Sequence, residues 1–195
     1  MDVAQARASW QTDVVGGIAP ERLVFIDESA VMTDMVRRYG WSPCGQRAPA
    51  KVPFGDWKKL SVLGAISLDG MVAAMSIEAA TDSAVFAAYL DEVLLPVLRQ
   101  RKSAAVLVMD NLRAHKTPEV QTVLDRSGFA YRYLPSYSPD LSPIEPGWAK
   151  VKSYLRRAAA RTVEALEQAL GPALDSITPQ DAAGFFRHCG YLCPN

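Results

Sequence analysis

Cysteine is scarce: three in 195 residues, Cys44, Cys189 and Cys193, with neither the even count nor the spacing of a disulfide framework. A reducing compartment is the simpler expectation. His188 beside Cys189 and Cys193 raises zinc, but there is no paired Cys-x-x-Cys unit and no fourth ligand, so packing is the better account. Net charge is absent too, 21 basic residues against 21 acidic, which removes global electrostatics as a sign of nucleic-acid binding. Any such partner has to be met locally. Long hydrophobic runs are missing: Ala104–Met109 is far too short to cross a bilayer, and Met-Asp-Val-Ala-Gln-Ala-Arg at the amino terminus has no apolar signal core. A soluble cytoplasmic protein with no membrane partner is expected.

What is there suits a single α/β domain, with 49% of residues apolar and no internal repeat. Val3 to about Val15 reads as a short helix ended by Gly16-Gly17 and Pro20, a lead-in segment over residues 1–22 before a domain at 23–195. Leu23–Ile26 reads as a central strand with Asp27 at its carboxyl end, followed by a loop-rich stretch to Asp56. Lys59–Ser67 and Met71–Ile77 flank Leu68-Asp69-Gly70, a hairpin signal. Thr81 or Asp82 caps a helix through Phe86, Leu90 and Leu94, with Pro96 expected to kink its final turn. Ala104–Met109 reads as a strand ending at Asp110, Thr117-Pro118 opens a helix, and Phe129–Leu134 is a further strand. Helices follow from near Glu145 to about Ala160, from Thr162 and from Thr178. The order implies a mixed sheet covered by helices, since a purely parallel arrangement does not begin with a hairpin.

Three acids stand out: Asp27 and Asp110 end apolar runs, and Glu145 follows a proline-punctuated loop. A carboxylate at the rim of a buried sheet is penalised unless a cation or hydrogen bonds compensate. No basic partner is evident in the sequence for any of the three. Singly, each is better read as an ordinary turn or cap acid; together they suggest an oxygen cluster for a hard divalent cation. For Glu145 two helix registers are open. With Ser142 as cap, Glu145 completes a capping box; with the helix starting at Pro146, Glu145 is itself the cap.

The segments Phe25-Ile26-Asp27-Glu28-Ser29, Met109-Asp110-Asn111 with His115, and Leu134-Pro135-Ser136-Tyr137-Ser138-Pro139-Asp140-Leu141-Ser142-Pro143-Ile144-Glu145 together resemble the three catalytic segments of the DDE transposases of the mariner superfamily, in the bacterial insertion-sequence-630 branch. The 34 residues between Asp110 and Glu145 match that group's spacing. The similarity runs from about Ala4 to the segment Phe185–Tyr191. It departs where the family usually has Asn before Pro-Ile-Glu and this chain has Ser142, and at Pro146-Gly147.

The resemblance implies a ribonuclease-H-like fold, a mixed sheet with helices on both faces, and catalysis and metal binding by Asp27, Asp110 and Glu145. Glu28, Asn111 and His115 are supporting candidates, His115 weighed evenly against a solvated loop histidine. It implies Mg2+, with Mn2+ able to substitute, acting in pairs to cleave DNA at transposon ends and join the 3′ hydroxyl to a target, TA in this family. It further implies a homodimer pairing two ends, in a bacterial nucleoid-associated setting. Candidate DNA contacts are Lys150, Lys152, Arg156 and Arg157, with Arg161 on the same helical stripe as Lys150 and Arg157, and a second basic segment, Lys51, Lys58 and Lys59 around Trp57. Trp148 and Tyr154 read as packing. The competing expectations are an inactive or partial DNA-binding remnant, or a related ribonuclease-H-like nuclease. Family members carry helix-turn-helix modules ahead of the catalytic domain, which suggests a fragment or the second frame of a split element.

Overall fold

The structure, a computed structural model, describes residues 2–37, 39–55 and 57–192. Five strands form one sheet in the order β3-β2-β1-β4-β5: β1 Leu23–Met32, β2 Lys59–Ser67, β3 Gly70–Ile77, β4 Val106–Met109 and β5 Ala130–Tyr133. The hairpin forms as its Asp-Gly signal predicts, with β2 antiparallel to both β1 and β3, while β4 runs parallel to β1 and β5 parallel to β4. Seven α-helices are described: α1 Val3–Trp10, α2 Ser83–Ala88, α3 Leu95–Arg101, α4 Pro118–Ser127, α5 Ile144–Ala158, α6 Val163–Asp175 and α7 Pro179–His188.

Alternation along β1 divides the core in two, because successive side chains in a strand point to opposite faces. Leu23 and Phe25 join Trp10, Val14, Trp148, Val151, Leu155 and Phe186 on the face of α1, α5, α6 and α7. Val24 and Ile26 join Phe86, Leu90, Leu98, Val120 and Leu124 on the face of α2, α3 and α4. Helices therefore cover both faces of a mixed sheet. In α5, buried Ile144, Trp148, Val151 and Leu155 recur at three- and four-residue spacing, so one stripe meets the sheet.

Three local expectations are corrected. Asp27 does not end its strand: β1 continues five residues to Met32, because antiparallel β2 pairs with it as far as Met32↔Lys59. It is β4 that stops, with Ile26↔Met109 the last pair of the parallel ladder. Glu145 is neither the cap nor the third helical residue; the cap is Pro143, which makes no side-chain cap bond, and Glu145 is second in α5. Pro146 then falls third, in the first turn, where backbone N–H groups have no intrahelical partner to lose. Pro96 does not simply kink a helix, since a π-helical turn, Tyr89–Leu94, precedes it and leaves it in the first turn of α3.

Other caps follow the sequence: Asp82 accepts from Val85 N–H, Thr162 from Ala165 N–H, and Thr178 forms a capping box with Asp181. Between β1 and β2 the described residues 33–37, 39–55 and 57–58 form no helix or strand; Asp56 lies outside the described residues. No helix among the described residues is long and apolar enough to cross a membrane.

Candidate active site

Because Ile26 and Met109 are paired, the next residues of the parallel strands, Asp27 and Asp110, emerge side by side where β4 ends. The first turn of α5 supplies Glu145, and all three acids line one cavity of about 360 Å³. Its other walls include Asn111, Leu112 and the loop from Leu134 to Ser142. No described residue lining it is basic.

Asp27 is partly buried and registers that unbalanced charge. Burial first, then the negative charges of Glu145 and Asp110, push its carboxyl up to about 7, although the Glu28 backbone N–H and Trp148 pull the other way. Trp148 Nε1 donates to Asp27 Oδ2 at 3.1 Å. Trp148, whose sequence context reads as packing, does pack against the sheet, and it also holds the first acid. Room for its ring comes from Gly64, the β2 partner of Asp27, where a Cβ would lie 2.6 Å from Trp148 Cη2. The available signal was that Glu145 and Trp148, three apart, share a helix face.

Asp110 has a basic partner in His115, the supporting candidate five residues along the chain. His115, in a 3-10 turn from Arg113 to Lys116, is wholly buried and stacks on Phe86 at 4.0 Å. Its Nδ1 approaches Asp110 Oδ1 at 2.6 Å and its Nε2 lies 3.1 Å from Glu28 Oε1. The Nδ1 contact is close but off the hydrogen-bonding line, so it acts as an ion pair more than as an aligned bond. Burial alone would lower this imidazole's pKa, but Asp110 and Glu28 outweigh it and push it up to about 9. A solvated loop histidine is thereby excluded. Asp110 Oδ1 also accepts from Leu112 N–H at 3.1 Å.

Glu28, on the opposite face of β1 from Asp27, is joined to Asp110 through His115. Asn111 Nδ2 donates to Ser136 Oγ at 3.1 Å, and Asn111 Oδ1 accepts from Lys116, whose ammonium stands over the Tyr133 ring. These supporting candidates bind to protein groups around the cavity.

The basic residues separate. Lys150 Nζ pairs with Asp181 at 2.6 Å, helping to hold that carboxyl down to about 2, and Arg161 donates to the carbonyls of Thr33 and Met35. Arg157 lies over the Tyr154 ring. Lys152 and Arg156 instead line a groove with Trp57, Met32 and Met35, so one member of the second basic segment joins them. Lys51, Lys58 and Lys59 are exposed. His188 is exposed while Cys189 is buried with its thiol pushed up to about 11 by burial; Cys193 lies outside the described residues.

A family profile for DDE superfamily endonucleases matches residues 22–167. The chain belongs to that family. Comparison with curated proteins finds no match. Among solved structures, this DDE-family chain is similar to the Mos1 transposase paired-end complex with left transposon end, at TM-score 0.74 and 17% identity over 95% of this chain and 56% of that one. The Mos1 mariner paired-end complex with Mg gives TM-score 0.72 and 17% identity, over 96% of this chain and 59% of that one. The catalytic domain of Mos1 mariner transposase gives TM-score 0.65 and 14% identity, over 96% and 84%. The fold is thus ribonuclease-H-like, and this chain spans little more than half the length of the complexed transposase chains.

The donor set fits a hard divalent cation. Three carboxylates face one cavity without a lining cation, and burial, joined by the charges of the other two, already raises Asp27. Among the described residues no three His, Cys, Asp or Glu side chains by themselves converge tightly enough to enclose an ion. Water and phosphate oxygens would complete the coordination, as hard cations such as Mg2+ favour.

Proposed function

We propose that this chain is the catalytic domain of a transposase, a metal-dependent enzyme that cleaves DNA at transposon ends and transfers the 3′ hydroxyl into target DNA. The observation that carries the reading is the emergence of Asp27 and Asp110 side by side at the end of the parallel ladder, on the same cavity as Glu145. Similarity to structures named as transposase paired-end and strand-transfer complexes supports DNA as the substrate. The domain is taken as residues 23–195, with residues 1–22 a helical lead-in. TA as target, two copies pairing two ends, and a bacterial nucleoid setting belong to the same reading.

Asp27, Asp110 and Glu145 would hold Mg2+, with Mn2+ an acceptable substitute for an all-oxygen donor set; structures of the Mos1 relative are named with each ion. Bound there, the ions would supply activation of an attacking oxygen and stabilisation of the leaving oxygen in phosphodiester chemistry. The chain's own residues set the geometry. Trp148 fixes one oxygen of Asp27, His115 and Leu112 N–H fix Oδ1 of Asp110, and the first turn of α5 presents Glu145. Lys152 and Arg156 are the better candidates for contacting the DNA backbone, since Lys150 and Arg157 are engaged within the protein.

The test is nicking and strand transfer on DNA carrying the element's terminal repeats, with Mg2+, for the wild type and Asp110→Asn. Wild-type activity lost in the variant is expected. Equal behaviour of the two would end the catalytic reading, and cleavage confined to RNA hybrids would favour a ribonuclease.

A further inference from the structure

Asp27 and Glu28 are neighbours in β1 and point to opposite faces of the sheet, and of the two only Asp27 lines the carboxylate cavity. Glu28 pairs with Leu63 of β2 on one side, but on the other side β4 has already ended at Met109. The chain uses that opening. The 3-10 turn Arg113–Lys116 brings the buried His115 ring up against Glu28.

The two carboxylates that flank this ring are not equivalent. Glu28 Oε1 meets Nε2 at 3.1 Å with hydrogen-bonding geometry, and because a carboxylate only accepts, Nε2 carries a proton. Asp110 Oδ1 meets Nδ1 at 2.6 Å but off the hydrogen-bonding line. An aligned bond fixes a ring, whereas a close contact out of line is imposed by a ring already fixed. Phe86, stacked at 4.0 Å, covers the ring's face. The imidazole is therefore held by Glu28 and Phe86, and Asp110 is what it constrains. Both described contacts of Asp110, with His115 Nδ1 and Leu112 N–H, fall on Oδ1, which leaves Oδ2 for a ligand.

We propose that Glu28 is a positioning residue of the candidate metal site: acting through His115 from the far face of the sheet, it sets the orientation in which Asp110 meets the ion. The proposal rests on the reading of Asp110 as a metal ligand, and it extends the site to a residue that the carboxylate cavity does not include. Outer partners of this kind typically govern metal affinity by about 10–100-fold.

Mn2+ affinity of the full chain is measured by calorimetry, without DNA, for the wild type, Glu28→Gln and Glu28→Met. Gln keeps an acceptor for Nε2–H; Met, of similar length, does not. Met is expected to weaken binding about tenfold and Gln to stay within about threefold of the wild type. In a His115→Gln background Glu28→Met should no longer change the affinity, since no ring remains to be oriented. Proton NMR of the metal-free protein supplies a second readout, because His115 and the exposed His188 are the only histidines. A protected Nε2–H resonance is expected in the wild type and Glu28→Gln and absent from Glu28→Met. Glu28→Met that melts lower in EDTA yet binds Mn2+ as the wild type does marks a merely structural glutamate and overturns the proposal. So does Glu28→Gln falling as far as Glu28→Met, an equal loss in the His115→Gln background, or a wild type without the protected resonance. Each of these leaves the metal reading standing, whereas a wild type that binds no Mn2+ overturns both.

Discussion

Replacing Asp27 by Asn should stabilise the metal-free protein at neutral and alkaline pH while destroying its response to divalent ions. The Asp27 carboxyl is raised from 3.8 to about 7 by burial and by the charges of Glu145 and Asp110. With the folded pKa above the unfolded one, the folded state binds the extra proton between those values, so stability falls as pH rises through that window. The contribution is intact below about pH 4 and fully lost above about pH 7. Three units at about 1.36 kcal/mol each set an upper limit of roughly 4 kcal/mol, and partial solvent access reduces it to about 2–4 kcal/mol. Asn cannot ionise, and its carbonyl oxygen can still accept from Trp148 Nε1. For a chain of this size the gain corresponds to a melting temperature about 5–15 °C higher at pH 8 in EDTA. Calorimetric melts from pH 4 to 8 should show the gap opening with pH and then levelling. Mg2+ or Mn2+ should raise the melting temperature of the wild type and leave Asp27→Asn nearly unmoved. A variant no more stable than wild type at pH 8, or a gap that does not change with pH, would refute the charge-repulsion account of this site.

Gly64→Ala should cost about 1–3 kcal/mol in denaturant melts and depress nicking activity, because the new Cβ would stand 2.6 Å from the Trp148 ring and 2.9 Å from Met71 Cε. His115→Ala should destabilise by about 3 kcal/mol at pH 6, where it removes a buried cation from between Glu28 and Asp110. The His115 pKa is raised to about 9, so the wild-type advantage should be complete below about pH 6.5 and fade as pH passes 9; a gap that instead widens at high pH would be against it. Lys152→Ala and Arg156→Ala should each lower the slope of log K against log[salt] for duplex DNA by about 0.9, whereas Lys150→Ala, removing a residue paired with Asp181, should leave the slope unchanged.

What the sequence disclosed was local or periodic. The Asp69-Gly70 turn set the β2–β3 hairpin, the unbroken apolar run Leu23–Ile26 marked a strand buried on both faces, and Thr162 and Thr178 announced their helices. What it concealed was long-range. The apolar run of β1 stops at Ile26, which made Asp27 look terminal, yet the strand's length is decided by a β2 partner more than thirty residues away, Gly64 being the residue opposite Asp27. Trp148 lies 121 residues from the carboxylate it contacts, and His115 lies 87 from Glu28. Glu145 failed for another reason: the capping box and the Pro-initiated helix are both sound local rules, and the chain satisfied neither, because Ile144 had to be buried against the sheet and this fixed the register of α5.

The loop that leads to Glu145 draws its shape from both ends of the described chain. Arg7 of α1 reaches Asp140 at 2.6 Å and Ser138 at 2.8 Å, while Trp10 Nε1 donates to Tyr191 Oη at 3.1 Å and Tyr191 Oη donates to the Leu141 carbonyl at 2.7 Å. The two attachments differ in kind. The Arg7–Asp140 pair is open to solvent, where water and salt screen it, so it contributes little. The tryptophan–tyrosine–carbonyl chain is buried, and breaking it would strand polar groups in a core where Tyr191 also packs edge-on against Phe25 at 5.2 Å. The buried chain therefore positions the loop and the surface pair only trims its orientation. Both Trp10 and Tyr191 fall outside the segment 22–167 matched to the family, so the unit that shapes this site is larger than the segment by which it is recognised.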